Sequence, residues 1–395
     1  MAEPPGFWSR SRVRLHEEIL PPQMAPATPL TLRRAKRAIG ILVIMFVVLQ
    51  VISAPIGHRL NAVLRSGTDV YSQWLAYTSA PAPDVLFLGA STVGTDIDTN
   101  VLVNQLSIAA GRPVSVGKLG FFGQGSTFLD VVMYRIMKRV SRPKVVVVTL
   151  EASDLNASCV ECQASSAAGI WDISDLTDPG FVKFALQTDV VNPGGGGLGA
   201  LAAADSRAPL ILGWALPSFA YYPSLLALQC LAVDYGRSAA RAVFGEVPGE
   251  LRASSICETA IAYQWSRAPA MTEASYLSSI ADAQHFMSNY RISTAIAARL
   301  TDIVNRGRAA GSNVVFLEPP IHSGAGSVIG PEAQPAFGTE VSDLTTALKA
   351  NVLDFTAAVP DDPNFWLDTL HLNRAGADYL APKLAQGLAP IALSS

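Results

Sequence analysis

The chain is short of charge, histidine and cysteine, and each shortage excludes a class of function. Charged residues make up 15% of the sequence and the net charge is −3, so no basic field points to nucleic acid as a partner. Five histidines leave few candidates for a catalytic base or a metal ligand. Four cysteines in 395 residues are too few for a disulfide-rich scaffold.

Two of the cysteines, Cys159 and Cys162, have the CxxC spacing of zinc and redox sites. However, Cys230 and Cys257 lie far from them, and no second CxxC or HxxxH completes a metal-binding set. We therefore predict structural disulfides or free thiols, and we predict neither a metal nor another cofactor.

Charge is absent altogether from the 20-residue stretch 38–57, which follows a tail, 1–37, with seven basic residues. A helix of that length spans a bilayer. The preceding basic residues predict a cytoplasmic, mostly disordered tail and an extracytoplasmic remainder. A cleaved signal peptide is the alternative, but the apolar run is long for one, and the cleavage point after Ala54 would precede a proline. We predict a retained signal anchor in a bacterial plasma membrane.

Beyond a membrane-proximal helix and linker at 58–83, short apolar runs alternate with helix-like stretches. The runs are rich in β-branched residues and are bounded by glycine and proline, which is typical of buried parallel strands. The alternation predicts an α/β domain over 84–395, with a parallel sheet covered by helices on both faces. The predicted strands lie at 84–89, 113–120, 143–151, 312–320 and 351–356, and the predicted helices at 98–110, 126–140, 287–310, 339–350 and 373–388.

The interval 157–285 breaks this alternation. It contains a glycine-rich loop without the lysine of a phosphate site, and an apolar run at 209–233 that Pro217 and Pro223 interrupt. A second membrane span there would return the later strands to the cytoplasmic side. We predict instead a helical insertion that packs on the sheet or rests near the bilayer.

The turn after the first predicted strand, in DVLFLGASTVGTD at 84–96, could bind phosphate or present a nucleophile. Its two glycines have the spacing of a P-loop, but Thr95 and Asp96 stand where lysine and Ser/Thr are required. A carboxylate there would repel phosphate. The dinucleotide fingerprint and the G-x-S-x-G elbow do not fit either. The remaining candidate is Ser91 as a nucleophile.

A serine nucleophile needs a base and a group that orients the base. His371 lies in DTLHLN, three residues after Asp368 and just before a predicted helix. Parallel strands end at one edge of a sheet, so this pair can meet Ser91 in a cleft there. Of the other histidines, His16 lies in the tail, His58 beside the anchor and His285 in a predicted helix. His322 follows a predicted strand, so it is a second candidate at the carboxyl edge of the sheet.

Four blocks in this order, FLGAS, KLGFFGQG, TLEASD and DTLHLN, resemble those of the SGNH/GDSL hydrolase superfamily. The resemblance covers roughly 84–156 and 300–390, and DxxHLNxxGA is its most specific part. It implies a three-layer, flavodoxin-like parallel sheet of about five strands. It also implies a triad in which Ser91 is the nucleophile and Asp368 and His371 are its partners.

The same resemblance implies an oxyanion hole made by the N–H of Ser91, a glycine and an asparagine. Gly120 or Gly123 matches the glycine, whereas Ser153 stands at the asparagine position. A serine hydroxyl reaches less far, and Asn156 is the substitute if the loop bends back. Loss of one oxyanion donor costs about 10²–10³ in rate, which puts efficient hydrolysis in question.

The layout of anchor, outer domain and variant third block is similar to that of bacterial proteins of cell-envelope glycan acylation. This implies a serine acyl-esterase or O-acyltransferase that acts on glycan esters or small esters, with the membrane and a membrane-bound O-acyltransferase as partners. Two alternatives stay open. One is a non-catalytic glycan-binding or assembly subunit, consistent with Ser153. The other is a lipid esterase, suggested by the anchor and the apolar insertion.

Overall fold

The computed structural model describes residues 69–122, 125–159 and 270–394, with part of a helix between 37 and 48 and isolated positions between 162 and 184. The chain divides into two compact units, Met1–Leu49 and Gln50–Ser395. Most of the predicted insertion 157–285 lies outside the described residues, and so do its glycine-rich loop and the apolar run 209–233.

In the first unit, the described residues between 37 and 48 are helical, and their large apolar side chains are about half exposed or more. Among the helices that the structure describes, none is both long enough and apolar enough to cross a membrane. More than half of the predicted span 38–57 falls outside the described residues, so the anchor stays a prediction.

Five parallel strands form one sheet in the second unit, in the order β2-β1-β3-β4-β5. This is the flavodoxin-like order that the resemblance implies. Each predicted strand is present but shorter at its ends; Pro113, for example, has no N–H to give to a ladder, and β2 begins after it. The strands are β1 (Val85–Gly89), β2 (Val116–Gly120), β3 (Val145–Thr149), β4 (Asn313–Glu318) and β5 (Asn351–Asp354).

Alternate side chains of each central strand enter separate cores on the two faces of the sheet. Leu86 and Leu88 belong to one core, whereas Val85 and Phe87 belong to the other. Every residue of β1 and β3 is buried, which explains why both read as continuous apolar runs rather than as an apolar–polar alternation.

Helices cover both faces and complete three layers. The first core packs against α1, α4, α5, α6, α7 and α8, and the second against α2, α3 and α9. The α-helices are α1 (Asp69–Ser79), α2 (Ser91–Asp96), α3 (Thr99–Ala110), α4 (Ser126–Met137), α5 (Glu273–Phe286), α6 (Thr294–Ala309), α7 (Ser323–Ile329), α8 (Pro335–Leu348) and α9 (Arg374–Ser394), with 3₁₀ turns at Ala152–Leu155 and Pro363–Phe365.

Local capping explains where helix boundaries differ from the predicted ones. The helix predicted from 287 begins at Thr294, because the Ser293 side chain accepts the Ile296 N–H and caps the helix. The helix predicted from 339 begins four residues earlier, at Pro335, where a missing N–H costs nothing in the first turn.

The strand order creates a crevice at the carboxyl edge of the sheet. β1 lies between β2 and β3, so the chain leaves β1 on one side and later returns on the other. In open α/β sheets, ligands bind outside the strand ends at such a switch point. Ser91 follows β1 and Glu151 follows β3, so both belong to this edge.

Candidate active site

Ser91, His371 and Asp368 form a continuous hydrogen-bonded chain. Ser91 is the first residue of α2, and its Oγ lies 2.8 Å from His371 Nε2. His371 Nδ1 lies 2.9 Å from Asp368 Oδ2 and 3.0 Å from Oδ1. The hydroxyl, the two ring nitrogens and the carboxylate are thus connected in the order that a Ser-His-Asp triad requires.

The backbone around the acid holds the pair in place. The N–H groups of Leu370 and His371 donate to Asp368 Oδ1 at 2.8 and 2.9 Å. Burial favours the neutral acid, but the hydrogen bonds from His371 and these N–H groups outweigh it, so the pKa of Asp368 is lowered. Burial disfavours the imidazolium, yet the bond to Asp368 prevails and the pKa of His371 is raised. The lowered pKa keeps Asp368 ionised, and the raised pKa makes the His371 imidazole a stronger base.

Two further acids lie beside the triad, of which Asp96 is buried and Glu151 is half-buried. Asp96 ends α2, and its Oδ1 accepts the Leu372 N–H at 2.8 Å; burial raises the pKa of Asp96 to about 7. Glu151 follows β3, and its Oε1 accepts the Thr92 hydroxyl at 2.8 Å; burial raises its pKa as well. Both carboxyl groups add to the raised pKa of His371.

Glu151 is tied to a second acid, Asp154. Each side chain accepts the other residue's backbone N–H, which closes a capping box on the turn Ala152–Leu155. Burial and the neighbouring charge of Glu151 raise the pKa of Asp154 well above its ordinary value. Two neighbouring acids that are largely shielded from bulk water disfavour each other's ionisation.

The triad opens into a cavity of about 350 Å³. Ser91 and His371 line it together with two sets of side chains. One set is polar and comes from the ends of β1 and β3: Thr92, Glu151, Ser153 and Asp154. The other is apolar and comes from α5, α7 and the loops beside them: Ala283, Phe286, Ile321, Ile329 and Leu370, with Pro319 and Pro320.

The predicted oxyanion donors are brought together only in part. Ser91 begins a helix, so its N–H has no acceptor within that helix and can serve an oxyanion. Ser153 lines the cavity. Gly123 lies outside the described residues.

Gly120 is engaged elsewhere, which corrects its predicted role. Its N–H donates to Gln73 Oε1 at 2.9 Å, and its carbonyl accepts from Gln73 Nε2 at 2.7 Å. A Cβ on this residue would collide with the backbone of Gly94. Glycine is therefore needed here for close packing of β2 against α2, and its N–H is not available to an oxyanion.

Asn156 is likewise a structural residue. Its Nδ2 donates to the Phe286 carbonyl at 2.7 Å, and its Oδ1 accepts from the N–H groups of Ser158 and Arg291 at 3.0 and 3.1 Å. The fully buried amide joins the loop after β3 to the segment before α6. The prediction that Asn156 replaces the oxyanion asparagine is wrong for this reason.

Three cavity residues were not predicted from the sequence. Gly125 lines the cavity at the start of α4, and its signal is a glycine directly before the helical STFLDVV. The signal for Glu151 is an acidic residue immediately after the most apolar predicted strand. Thr92 carries no signal in the sequence, because its role depends on reaching Glu151 across the sheet edge.

Cys159 and Cys162 form a disulfide, and Cys162 lines the cavity. A sulfur atom in a disulfide is not a thiolate ligand for zinc. Of the two predicted alternatives, disulfides or free thiols, this pair therefore forms a disulfide. Cys230 and Cys257 lie outside the described residues.

His322 has a structural position. Its Nδ1 accepts the Gly324 N–H at 3.1 Å and caps α7. Its ring meets Tyr276 and Trp366 edge to face, and its Nε2 lies 3.9 Å from an oxygen of Asp361. None of these ring contacts is to Ser91, Asp368 or His371.

Fold and site together define an α/β protein with a hydrogen-bonded Ser-His-Asp arrangement at the switch point of its sheet. No family model matches the chain, and no curated protein matches it. Among solved structures, it is similar to a crystal structure of a protein from Bacteroides fragilis described as a "putative acylhydrolase". The likeness covers 80% of this chain and 94% of that one, at 10% identity and a TM-score of 0.33, values too low to bear on function.

Proposed function

We propose that this protein is a membrane-anchored, extracytoplasmic esterase or O-acyltransferase of the SGNH type, acting on ester groups of an envelope glycan or exopolysaccharide. The observation that carries the proposal is the chain from Asp368 through His371 to Ser91, with Ser91 Oγ 2.8 Å from the ring nitrogen at a cavity wall.

The chemistry follows from this geometry. Ser91 Oγ attacks the ester carbonyl while its proton passes to His371 Nε2, and Asp368 holds the Nδ1–H tautomer. The Ser91 N–H stabilises the oxyanion. The imidazolium then gives its proton to the alcohol oxygen as the ester C–O bond breaks. The alcohol departs and the acyl group stays bound to Ser91 Oγ. Water as the second nucleophile gives hydrolysis, whereas a sugar hydroxyl gives transfer.

The lining of the cavity supports an ester between an acyl group and a polyol. Apolar side chains such as Phe286 and Ile329 suit the acyl part, and the hydroxyl and carboxyl groups of Ser153 and Glu151 suit sugar hydroxyls. At about 350 Å³, the cavity is at the small end of ligand sites, which favours a short acyl group over a long lipid chain.

An extracytoplasmic location is supported by two features. The disulfide Cys159–Cys162 suits an oxidising compartment. The exposed apolar helix residues between 37 and 48 suit a lipid environment, in keeping with the predicted anchor. For transfer, a membrane-bound O-acyltransferase would be the source of the acyl group.

The test is turnover of p-nitrophenyl acetate by the full chain in detergent. Ser91→Ala should lower kcat by about 10³-fold or more, because the nucleophile is lost. Ser141→Ala, which changes an exposed serine away from the cavity, is the matched control. Equal turnover by wild type and Ser91→Ala would sink the proposal.

A second candidate is a non-catalytic glycan-binding or assembly subunit. It is favoured by the oxyanion side, where Ser153 replaces the amide and Gly120 and Asn156 are engaged elsewhere. A fluorophosphonate probe separates the two functions: an enzyme is labelled at Ser91. Folded wild-type protein that binds glycan but takes no label would favour the binding subunit.

A further inference from the structure

Asp96 joins the two segments that carry the nucleophile and the base. It ends α2, the helix that Ser91 begins, and its side chain is almost fully buried. Its Oδ1 accepts the Leu372 N–H at 2.8 Å, across 276 residues of sequence, and the Thr95 hydroxyl at 2.7 Å. Since Leu372 directly follows His371, this carboxylate fixes where the imidazole lies relative to Ser91.

We propose that Asp96 is a positioning residue for His371: one carboxylate oxygen fastens the base loop to the nucleophile helix, and the charge of the group stabilises the imidazolium. The proposal rests on the function proposed above. It assigns a role to a residue outside the triad, five positions after Ser91.

The second oxygen of Asp96 supports the electrostatic part. Oδ2 is buried and has no hydrogen-bond partner within the part of the chain that the structure describes. Leaving such an atom unpaired is costly, so a purely structural tie would be made at less cost by a neutral side chain. Burial raises the pKa of Asp96, and the charge of His371 counteracts that rise. The Asp96 carboxylate is therefore favoured when His371 is protonated, as it is after Ser91 has attacked the ester and given up its proton.

Other charged groups face the same region. Asp368 bonds the far side of the ring, and Glu151 approaches from the end of β3. Lys118 donates to the carbonyls of Gly94 and Ile97 at the end of α2, and it interacts with Asp96 and with the helix-capping Asp98. Removing Asp96 thus takes away one of three carboxyl groups around His371 and leaves the Lys118 charge in place.

Two substitutions separate position from charge. Asp96→Asn keeps an oxygen that can accept the Leu372 N–H but removes the charge, whereas Asp96→Ala removes both. Asp98→Asn is the matched control, because it neutralises an acid two positions away that caps α3 and lies outside the cavity. All are made in the full chain, and circular dichroism checks that each folds.

The first readout is the NMR titration of His371, whose signal is assigned with His371→Gln among only five histidines. Loss of a nearby carboxylate should lower the pKa of His371 in Asp96→Asn but not in Asp98→Asn. The acid limb of kcat/KM, which reports deprotonation of the base, should move to lower pH in the same variant. A merely structural role would change the melting temperature and leave both curves in place.

The second readout is kcat for p-nitrophenyl acetate. Asp96→Ala should lower kcat by about 10- to 100-fold with little change in KM, because misplacement of a base by about 1 Å has that cost. Unchanged kcat in Asp96→Ala, or a His371 titration identical in Asp96→Asn and Asp98→Asn, would overturn the proposal. If wild type neither turns over esters nor reacts with fluorophosphonate, the proposed function fails, while the NMR comparison still decides the role of Asp96.

Discussion

The two sides of Ser91 are built differently. On the side of the base, His371 is held by Asp368, which two backbone N–H groups fix, and Asp96 bonds the next residue of the same loop. On the oxyanion side, the predicted donors Gly120 and Asn156 are engaged in packing. Two half-buried acids, Glu151 and Asp154, line the same cavity. Within the described residues, a hydrogen-bonded path leads from Ser91 to Asp368, whereas of the predicted oxyanion donors only the Ser91 N–H and Ser153 lie at the cavity.

Removing the base should have the largest effect. His371→Ala deletes the proton acceptor of Ser91, and kcat for p-nitrophenyl acetate should fall by about 10³- to 10⁶-fold. His285→Ala, at an exposed position in the last turn of α5, is the matched control and should retain wild-type kcat. If kcat fell only slightly in His371→Ala, His371 would not be the proton acceptor of Ser91.

Strengthening the weaker side should give an intermediate effect. Ser153→Asn restores an amide where the SGNH pattern has one, and kcat should rise by about 10- to 100-fold if a donor is lacking. Ser153→Ala tests whether the present hydroxyl contributes, and a further loss would show that it does. If Ser153→Asn leaves kcat unchanged while the protein stays folded, another group already supplies the donor, and the contrast between the two sides would disappear.

The smallest effect concerns stability. Gly120→Ala should lower the free energy of unfolding by about 1–3 kcal/mol, because its Cβ would overlap the Gly94 backbone. A Cβ at Gly326 in α7 would make only an ordinary contact with Ile321, so Gly326→Ala should be neutral or stabilising by about 0.5–1 kcal/mol. Urea unfolding measures both. A Gly120→Ala protein with normal stability would show that the packing of β2 against α2 does not require glycine at this position.

Features set by local pattern could be predicted from the sequence. The strands follow from β-branched runs, and all five were found within a few residues of the predicted ends. His371 was found because the choice lay among five histidines and Asp368 stands three residues away. The single-turn geometry of this pair needs no knowledge of the rest of the fold.

Features set by contacts between distant segments could not be predicted. The roles of Gly120 and Asn156 are decided by Gln73 and by the Phe286 carbonyl, which lie 47 and 130 residues away in the chain. Gln73 belongs to α1, within the stretch predicted as membrane-proximal helix and linker, although Trp74 of that helix is buried in the first core. Choosing among nearby glycines requires knowing what packs on each, and sequence spacing carries no such information.

The wide separation of nucleophile and base has a consequence for biosynthesis. Ser91 and His371 are 280 residues apart, and His371 is followed by α9, whose side chains complete the second core. A growing chain therefore carries its serine long before it carries the base. The hydrogen bond between Ser91 and His371 cannot form until a further 280 residues have been made. The contact between the two side chains therefore depends on late folding steps that bring both ends of this 280-residue interval to one edge of the sheet.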